Sequence, residues 1–461
     1  MPMRRPLVAR AIAWPLAVLG VAIATWLVAN RWLDEAVTPE RAALTATVAG
    51  SVPDHKNVAV GILGLTAPRG TNFMAHGARV KALIASHAPH DQIQQLIHGS
   101  NALRPTVDRD QIRCWLDPDQ LVSKGCLPFE RAPSVLEDHQ ELLQRYKALY
   151  RLDQYEALDI HYNEAFLLLT QLAVAEMHLY ARKGDREAAY RNWHAQLRFL
   201  RANLRGMDTW VGKAVGVVAI GMALPFLERL VLADPGIARR HRTELYAVLR
   251  AEGIDAYDPR GIARAEFKML VNALEYPPAS VPGYGRDPVH WLAFHLGQKS
   301  RILNRHAAFL PDYEARLRLP FGSEQNGELE RARDRHLDHS RADLLLDPFG
   351  TVFLEEYIDS QLRGHALLRQ MHMIDARLRL ATMGVSIINE RIKDADIPRF
   401  LSAADADLRD PFSRAPFQWD PNDRKIFFVE PADKCSIAAW FSLPSRKPPR
   451  AAPSDVRMTA C

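Results

Sequence analysis

The sequence lacks most of the features that mark enzymes and nucleic-acid proteins. Four cysteines in 461 residues are too few for a disulfide-built scaffold. No H-E-x-x-H, G-x-S-x-G or G-x-G-x-x-G occurs. The stretch nearest to a phosphate loop, Gly206 to Lys213, has the wrong glycine spacing and Ala214 where Ser or Thr is needed. Those classes are set aside, and no cofactor is expected. Charge of one sign is also missing: 59 Lys and Arg face 54 Asp and Glu, for a formal net charge of +5, and the two signs alternate along the chain. A nucleic-acid protein gathers its cations in one stripe or arm, so no nucleic-acid partner is expected. No unit recurs at a fixed period.

Hydrophobic residues at 48% and charged residues at 25% describe a folded body, and the length allows one large helical unit or two to three smaller ones. The strongest signal is the uncharged run Ala11 to Asn30 between Arg10 and Arg31. As a helix its twenty residues cover about 30 Å, the thickness of a hydrocarbon core. Trp14, Trp26 and Trp32 lie near its ends, where indole rings favour the bilayer interface, and Pro15 falls early enough for the first turn to absorb it. Arg4, Arg5 and Arg10 precede the run, while Asp34, Glu35 and Glu40 follow it with Arg31 and Arg41; the small basic excess before the run favours a cytoplasmic N-terminus and an exported body. The run exceeds a usual signal-peptide core and no A-x-A site follows, so the reading is an uncleaved anchor.

Cys114 and Cys126 flank a stretch with Asp117-Pro118, Gly125 and Pro128, where a disulfide would staple a segment with little core of its own; two buried thiols are the alternative. Neither has a Cys or His at zinc-ligand spacing. Cys435 and Cys461 lie near the end.

The pattern divides the chain as follows. Residues 1–10 are a cytoplasmic N-terminus and 11–30 the transmembrane helix. Residues 31–133 hold membrane-proximal helices and the cysteine loop, with helix expected over Leu33 to Val48 and Asn72 to His87. Residues 134–276 are a helical core, opened by an S-x-x-E capping box at Ser134 and Glu137. Helices are expected there at Asn163 to Arg182, Arg186 to Leu204 and Met207 to Leu232. The turn Lys183-Gly184-Asp185 joins the first two as a tetratricopeptide-like hairpin. Ala214 to Leu227 is apolar all round, which marks a central buried helix. Residues 277–404 form a second helical lobe, ending in one long helix from Thr351 to Lys393. Residues 405–441 hold a β-hairpin around Asp420-Pro421-Asn422-Asp423, and 442–461 are a disordered tail. The fold class is thus mainly all-α.

Several residues bear on chemistry. His336 and His339 lie three apart in a strongly charged run that reads as a solvated helix; His290 and His295, five apart, and His365 and His372, seven apart, read better as structural histidines than as metal ligands. Lys213 opens the buried helix and needs a partner such as Asp208 or Glu176. Tyr257, Glu266, Tyr276, Tyr284 and Trp291, with Lys268 and Glu275, surround the Pro-rich stretch Pro277 to Gly285 and would suit a peptide-binding groove.

Four segments carry a resemblance: NVAVGILGLTAP (57–68), the paired-cysteine loop leading into LLQRYKALYRL (142–152), the hairpin QLAVAEMHLYARKGDREAAYRNWHAQLRFLRANL (171–204), and LDPFGTVFLEEY (346–357) with LRDPFSRAPFQWDPNDRKIFFVEP (408–431). Together they resemble uncharacterised single-pass, membrane-anchored helical proteins of Gram-negative bacteria. The resemblance implies an inner-membrane anchor and a periplasmic body, and it brings no activity. Asp410, Pro411, Phe412, Pro416 and Phe417 separately resemble the end of pseudopilin-like modules, where a long helix runs into a hairpin. A pseudopilin places that helix directly after its membrane span, whereas here it begins near Thr351, so pilus assembly is not implied.

The expected work is binding of an envelope protein or peptide, as an adaptor or assembly factor. Two other readings stay open: a metal-dependent or acid/base hydrolase assembled from separate helices, and an immunity-type protein that neutralises a periplasmic toxin.

Overall fold

Residues 18, 20–21, 35–45, 52–86, 88–118, 125–152, 154–155, 165–250, 259–275, 294–319, 323–338, 347–364, 366–428 and 439–444 are described by the computed structural model. Within the expected anchor, Val18, Gly20 and Val21 are helical, the two valines are exposed, and a Cβ on Gly20 would enter open space.

The membrane-proximal part holds α1 (Pro39–Thr45), α2 (Val58–Gly64), α3 (Phe73–Ala85) and α4 (His90–His98). Residues 35–38 are not helical, so the expected helix from Leu33 shortens to one that opens at Pro39. Asn57 caps α2 by accepting from Ala59 N at 3.0 Å, and Asn72 caps α3 by accepting from Met74 N and Ala75 N. The two helices cross at glycine: a Cβ on Gly64 would run into the Phe73 carbonyl, and one on Gly77 into that of Val60. The buried Arg145 guanidinium then donates to the carbonyls of Leu65, Ala67 and Pro68 and to Glu141, fixing the turn after α2.

Cys114 and Cys126 are disulfide-bonded, with Cα atoms 6.2 Å apart. The stretch is more structured than a loop: residues 110–116 form a 3-10 helix that buries Ile112 and Trp115, and the indole donates to Leu127 O at 2.8 Å. Asp117 also pairs with Arg229, tying the loop to the central helix.

After α5 (Ala132–Asp138) and α6 (Gln140–Ala148) comes the hairpin of α7 (Ala165–Arg182) and α8 (Arg186–Gly206), followed by α9 (Trp210–Ala233). Ser134 is not a cap: α5 starts at Ala132 with Pro133 in its first turn, and the Ser134 hydroxyl donates back to Arg131 O. The hairpin turn is as expected. Gly184 adopts φ +85°, Asp185 N donates to Tyr180 O, and the Asp185 carboxylate accepts from Ala188 N. By length and composition α9 is apolar enough to cross a membrane, yet it is mostly buried and packs against α7 and α8. It is the central helix.

The second half comprises α10 (Pro235–Arg240), α11 (Arg242–Leu249), α12 (Pro259–Glu275), α13 (Lys299–Leu317), α14 (Ser323–Leu337), α15 (Pro348–Gly364), α16 (Ala366–Asn389) and α17 (Ile397–Ser402). The single long helix expected from Thr351 to Lys393 is two, α15 ending at Gly364, a residue of poor helix propensity. At the end β1 (Gln418–Asp420), β2 (Lys425–Phe428) and β3 (Ala439–Ser442) form an antiparallel sheet in the order β1-β2-β3, one strand more than expected. Ile426 pairs with Trp419 on one side and Phe441 on the other. The sheet docks on α16 where Gly384 leaves room for the Phe441 ring. One continuous core runs from Val58 to Leu443, with Leu63, Val80 and Ile97 as a small satellite.

Candidate functional site

Of the expected groove residues, Glu266 lies among the described residues; Tyr257, Tyr276, Tyr284 and Trp291 lie outside them, as do Trp14, Trp26 and Trp32. Glu266 sits on the inner face of α12, 8% exposed, whereas Lys268 and Glu275 on the same helix face solvent. Its carboxyl meets the backbone N–H of Trp210, the first residue of α9, where free amides and the helix dipole favour an acceptor.

Three helices complete the surroundings. From α13, His306 is fully buried and bonds Gln361 Oε1 of α15 through Nε2 at 3.0 Å. An amide oxygen can only accept, so the imidazole carries its proton on Nε2, and Nδ1 is left without a partner. Tyr313, two turns further along α13, accepts from Trp210 Nε1 at 3.0 Å and donates to Gln361 O at 3.3 Å. The Tyr357 hydroxyl donates to Glu266 O at 2.7 Å. Phe267 stacks on His306 with ring centroids 5.9 Å apart, and Tyr357 meets the imidazole edge-on.

Burial sets the proton distribution. It pushes the Glu266 carboxyl up to about 7, against the pull of Gln361 and the Trp210 amide, and pulls the His306 imidazole down to about 4, against Gln361. In mildly acid solution the acid therefore holds its proton while the base stays neutral, the reverse of their order in water. The Tyr313 hydroxyl is pushed well up by burial and by Glu266.

Beside this network, the solvent side of α9 is apolar from Val211 to Pro225. Val211 is 59% and Val218 36% exposed; Ala214 and Val215 are partly exposed between them, and Pro225 follows on the same side. Spacings of four, seven and fourteen residues from Val211 place these side chains on one stripe.

A second polar cluster lies at the hairpin's outer end. The His241 ring stacks on Tyr190 at 3.9 Å and turns Nε2 to Glu187 at 2.8 Å and Nδ1 to Glu244 at 3.2 Å. The His241 contact holds Glu187, and the Tyr190 hydroxyl holds Glu244, below the usual carboxylate range. Arg240 bridges Glu187 and Asp234.

The other expected residues are dispersed. Lys213 is fully buried as expected, but its ammonium donates to the carbonyls of Leu204 at 2.7 Å and Arg205 at 3.2 Å, at the negative end of α8. Glu176, one of the two suggested partners, pairs with Lys147. His336 meets Asp312 at 3.3 Å, His295 lies against Phe294, and His372 against Phe412; His290, His339 and His365 lie outside the described residues. Among the described residues, no group of three His, Cys, Asp or Glu side chains is arranged to hold a metal ion. Sequence reading missed His306, Tyr313 and Gln361. Their one visible signal was a polar residue on the apolar face of a helix, as at Asn304 and His306 within ILNRHAAFL.

Comparison with protein-family models, characterised proteins and solved structures finds no match to this chain.

Proposed function

We propose that the chain is a single-pass inner-membrane protein whose helical body stands in the periplasm and binds an envelope protein or peptide, as an adaptor or assembly factor. The observation that carries the binding reading is the exposed apolar stripe of α9, Val211 to Pro225, on a helix otherwise sunk in the core. Contiguous apolar surface on a folded body marks an interaction site, and a stripe at helical spacing suits an amphipathic segment with apolar residues at matching intervals. The uncharged run Ala11 to Asn30 and the Cys114–Cys126 disulfide support the membrane and periplasmic parts of the reading.

A hydrolase would draw on the Glu266, Gln361 and His306 row. With His306 fully buried and Glu266 nearly so, no substrate reaches that row without parting α12, α13 and α15, and a role in holding α9 accounts for it more simply.

The test is photocrosslinking in intact cells with a benzophenone amino acid at Val211, at Val218 and, as control, at the exposed Glu137. One shared adduct from the two valine sites, absent at Glu137 and weakened by Val215→Lys, is the expected result. The same adducts at all three positions, or adducts indifferent to Val215→Lys, would rule the stripe out as the binding surface.

A further inference from the structure

Residues 35–38, shortly after the expected anchor, are bound to the body. Asn304 of α13, 5% exposed, accepts from Thr38 N at 3.3 Å and donates to Ala36 O at 2.7 Å and to Glu35 Oε2 at 3.2 Å. One side-chain amide thus grips the backbone on both sides of Val37. Arg301, one turn earlier on α13, adds an ion pair to Glu35 at 3.5 Å. Beyond Thr38, α1 lies against α12 and α13, and Leu44 packs on the core. These contacts join positions more than 260 residues apart in sequence, so they are tertiary structure and not local turn geometry.

We infer that this latch fixes the orientation of the body on the membrane and turns the α13 face around Asn304 toward the phospholipid headgroups. The inference rests on reading residues 11–30 as a membrane span. Ala36 lies six positions after Asn30, and an extended chain advances at most ~3.6 Å per residue, so the Ala36 backbone that Asn304 grips is held within about 22 Å of the hydrocarbon boundary. A headgroup layer occupies roughly the first 5–8 Å of that distance. Trp32, an interfacial residue type, shortens the free path further. A loose linker would let the body tumble; a docked one leaves a single face for the bilayer.

The test uses the full-length chain with Cys435→Ser and Cys461→Ser, keeping the disulfide, reconstituted in vesicles of phosphatidylethanolamine and phosphatidylglycerol that carry an acceptor dye on a headgroup. A donor dye is placed on a cysteine at Trp32 or at Ala308, an exposed α13 residue one turn past Asn304. Strong transfer from both positions is expected, with transfer from Ala308 falling at least two-fold in Asn304→Ala and in the milder pair Glu35→Ala with Arg301→Ala. Strong transfer from Trp32 with weak transfer from Ala308, or an Ala308 signal indifferent to the milder pair in a chain that stays folded, overturns the latch while leaving the anchor standing. Absence of transfer from Trp32 overturns the anchor itself and the orientation with it.

Discussion

Two layers of the body are built from similar helices and filled differently. Between α7, α8 and α9 the fill is dominated by aliphatic and aromatic side chains, with the neutral groups of Thr170, Gln171, Gln196 and Asn203 and the ammonium of Lys213 buried among them. Trp193 donates to Ala223 O at 2.9 Å, and the Gln196 amide donates to Thr170 O at 3.3 Å. Between α12, α13 and α15 the fill includes Glu266, Asn304, His306 and Gln361, joined across helices far apart in sequence. Apolar fill gives stability that is indifferent to pH. Polar fill adds less net stability and makes it conditional, because each group left without its partner costs about 1–3 kcal/mol. The layer that grips the residues after the anchor is the conditional one.

The largest expected effect tests the apolar layer. Trp193 is fully buried, so Trp193→Ala should destabilise the protein by about 3–5 kcal/mol, read as a lowered denaturation midpoint, and the loss should be nearly the same at pH 5 and pH 7. A strongly pH-dependent loss would break the contrast between the layers.

The next effect sharpens it. Between pH 4.5 and 7 the folded state keeps a proton on Glu266 that the unfolded chain has released, so this group makes stability fall as pH rises. Between pH 4 and 6.5 the unfolded chain holds a proton on His306 that the folded state lacks, so this group makes stability rise with pH. The two slopes oppose each other over nearly the same window, and the wild type should be flat there with respect to this pair. Glu266→Gln should expose a rise, and His306→Gln a fall, each on the order of 3 kcal/mol across the window. Two variants with the same slope would show that the pair does not hold its protons as described.

Opening the Cys114–Cys126 bridge by double substitution to Ser should cost about 2–3 kcal/mol, since it frees a short loop that carries the buried Trp115 into the apolar layer. Reducing agent should lower the wild-type melting temperature to that of the variant.

What was legible in the sequence follows the same division. The hairpin turn at Gly184, the helix start near Asn72, the all-apolar helix and the Asp420-Pro421-Asn422-Asp423 turn are set by residues within a few positions of one another, and periodicity and turn chemistry find them. Ser134 misled because Pro133 begins the helix earlier than the cap pattern suggests. β3 was missed because a strand of four residues whose pairing lies wholly with β2 has almost no local signature. The burial of Lys213 was legible, while two of its acceptors, Leu204 O and Arg205 O, are main-chain groups that no residue type advertises. The contacts of Glu266, His306 and Gln361 depend on how α12, α13 and α15 meet, and periodicity says nothing about that.

The smallest effect returns to a feature that local sequence does specify. Asp185 closes the hairpin turn and accepts from Ala188 N at 3.0 Å, satisfying one of the free amides at the start of α8, while its negative charge faces the positive end of the helix dipole. Asp185→Ala should destabilise by about 1 kcal/mol, and Asp185→Asn by less, because the amide oxygen still caps but the charge is gone. Added salt should narrow the gap between Asp and Asn and leave the gap between Asn and Ala in place, since screening weakens the charge–dipole part and not the hydrogen bond. Unfolding curves of the three proteins at low and high salt separate the two contributions. If Asp185→Ala cost as much as Trp193→Ala, the turn would be acting on the whole apolar layer and not on one helix end.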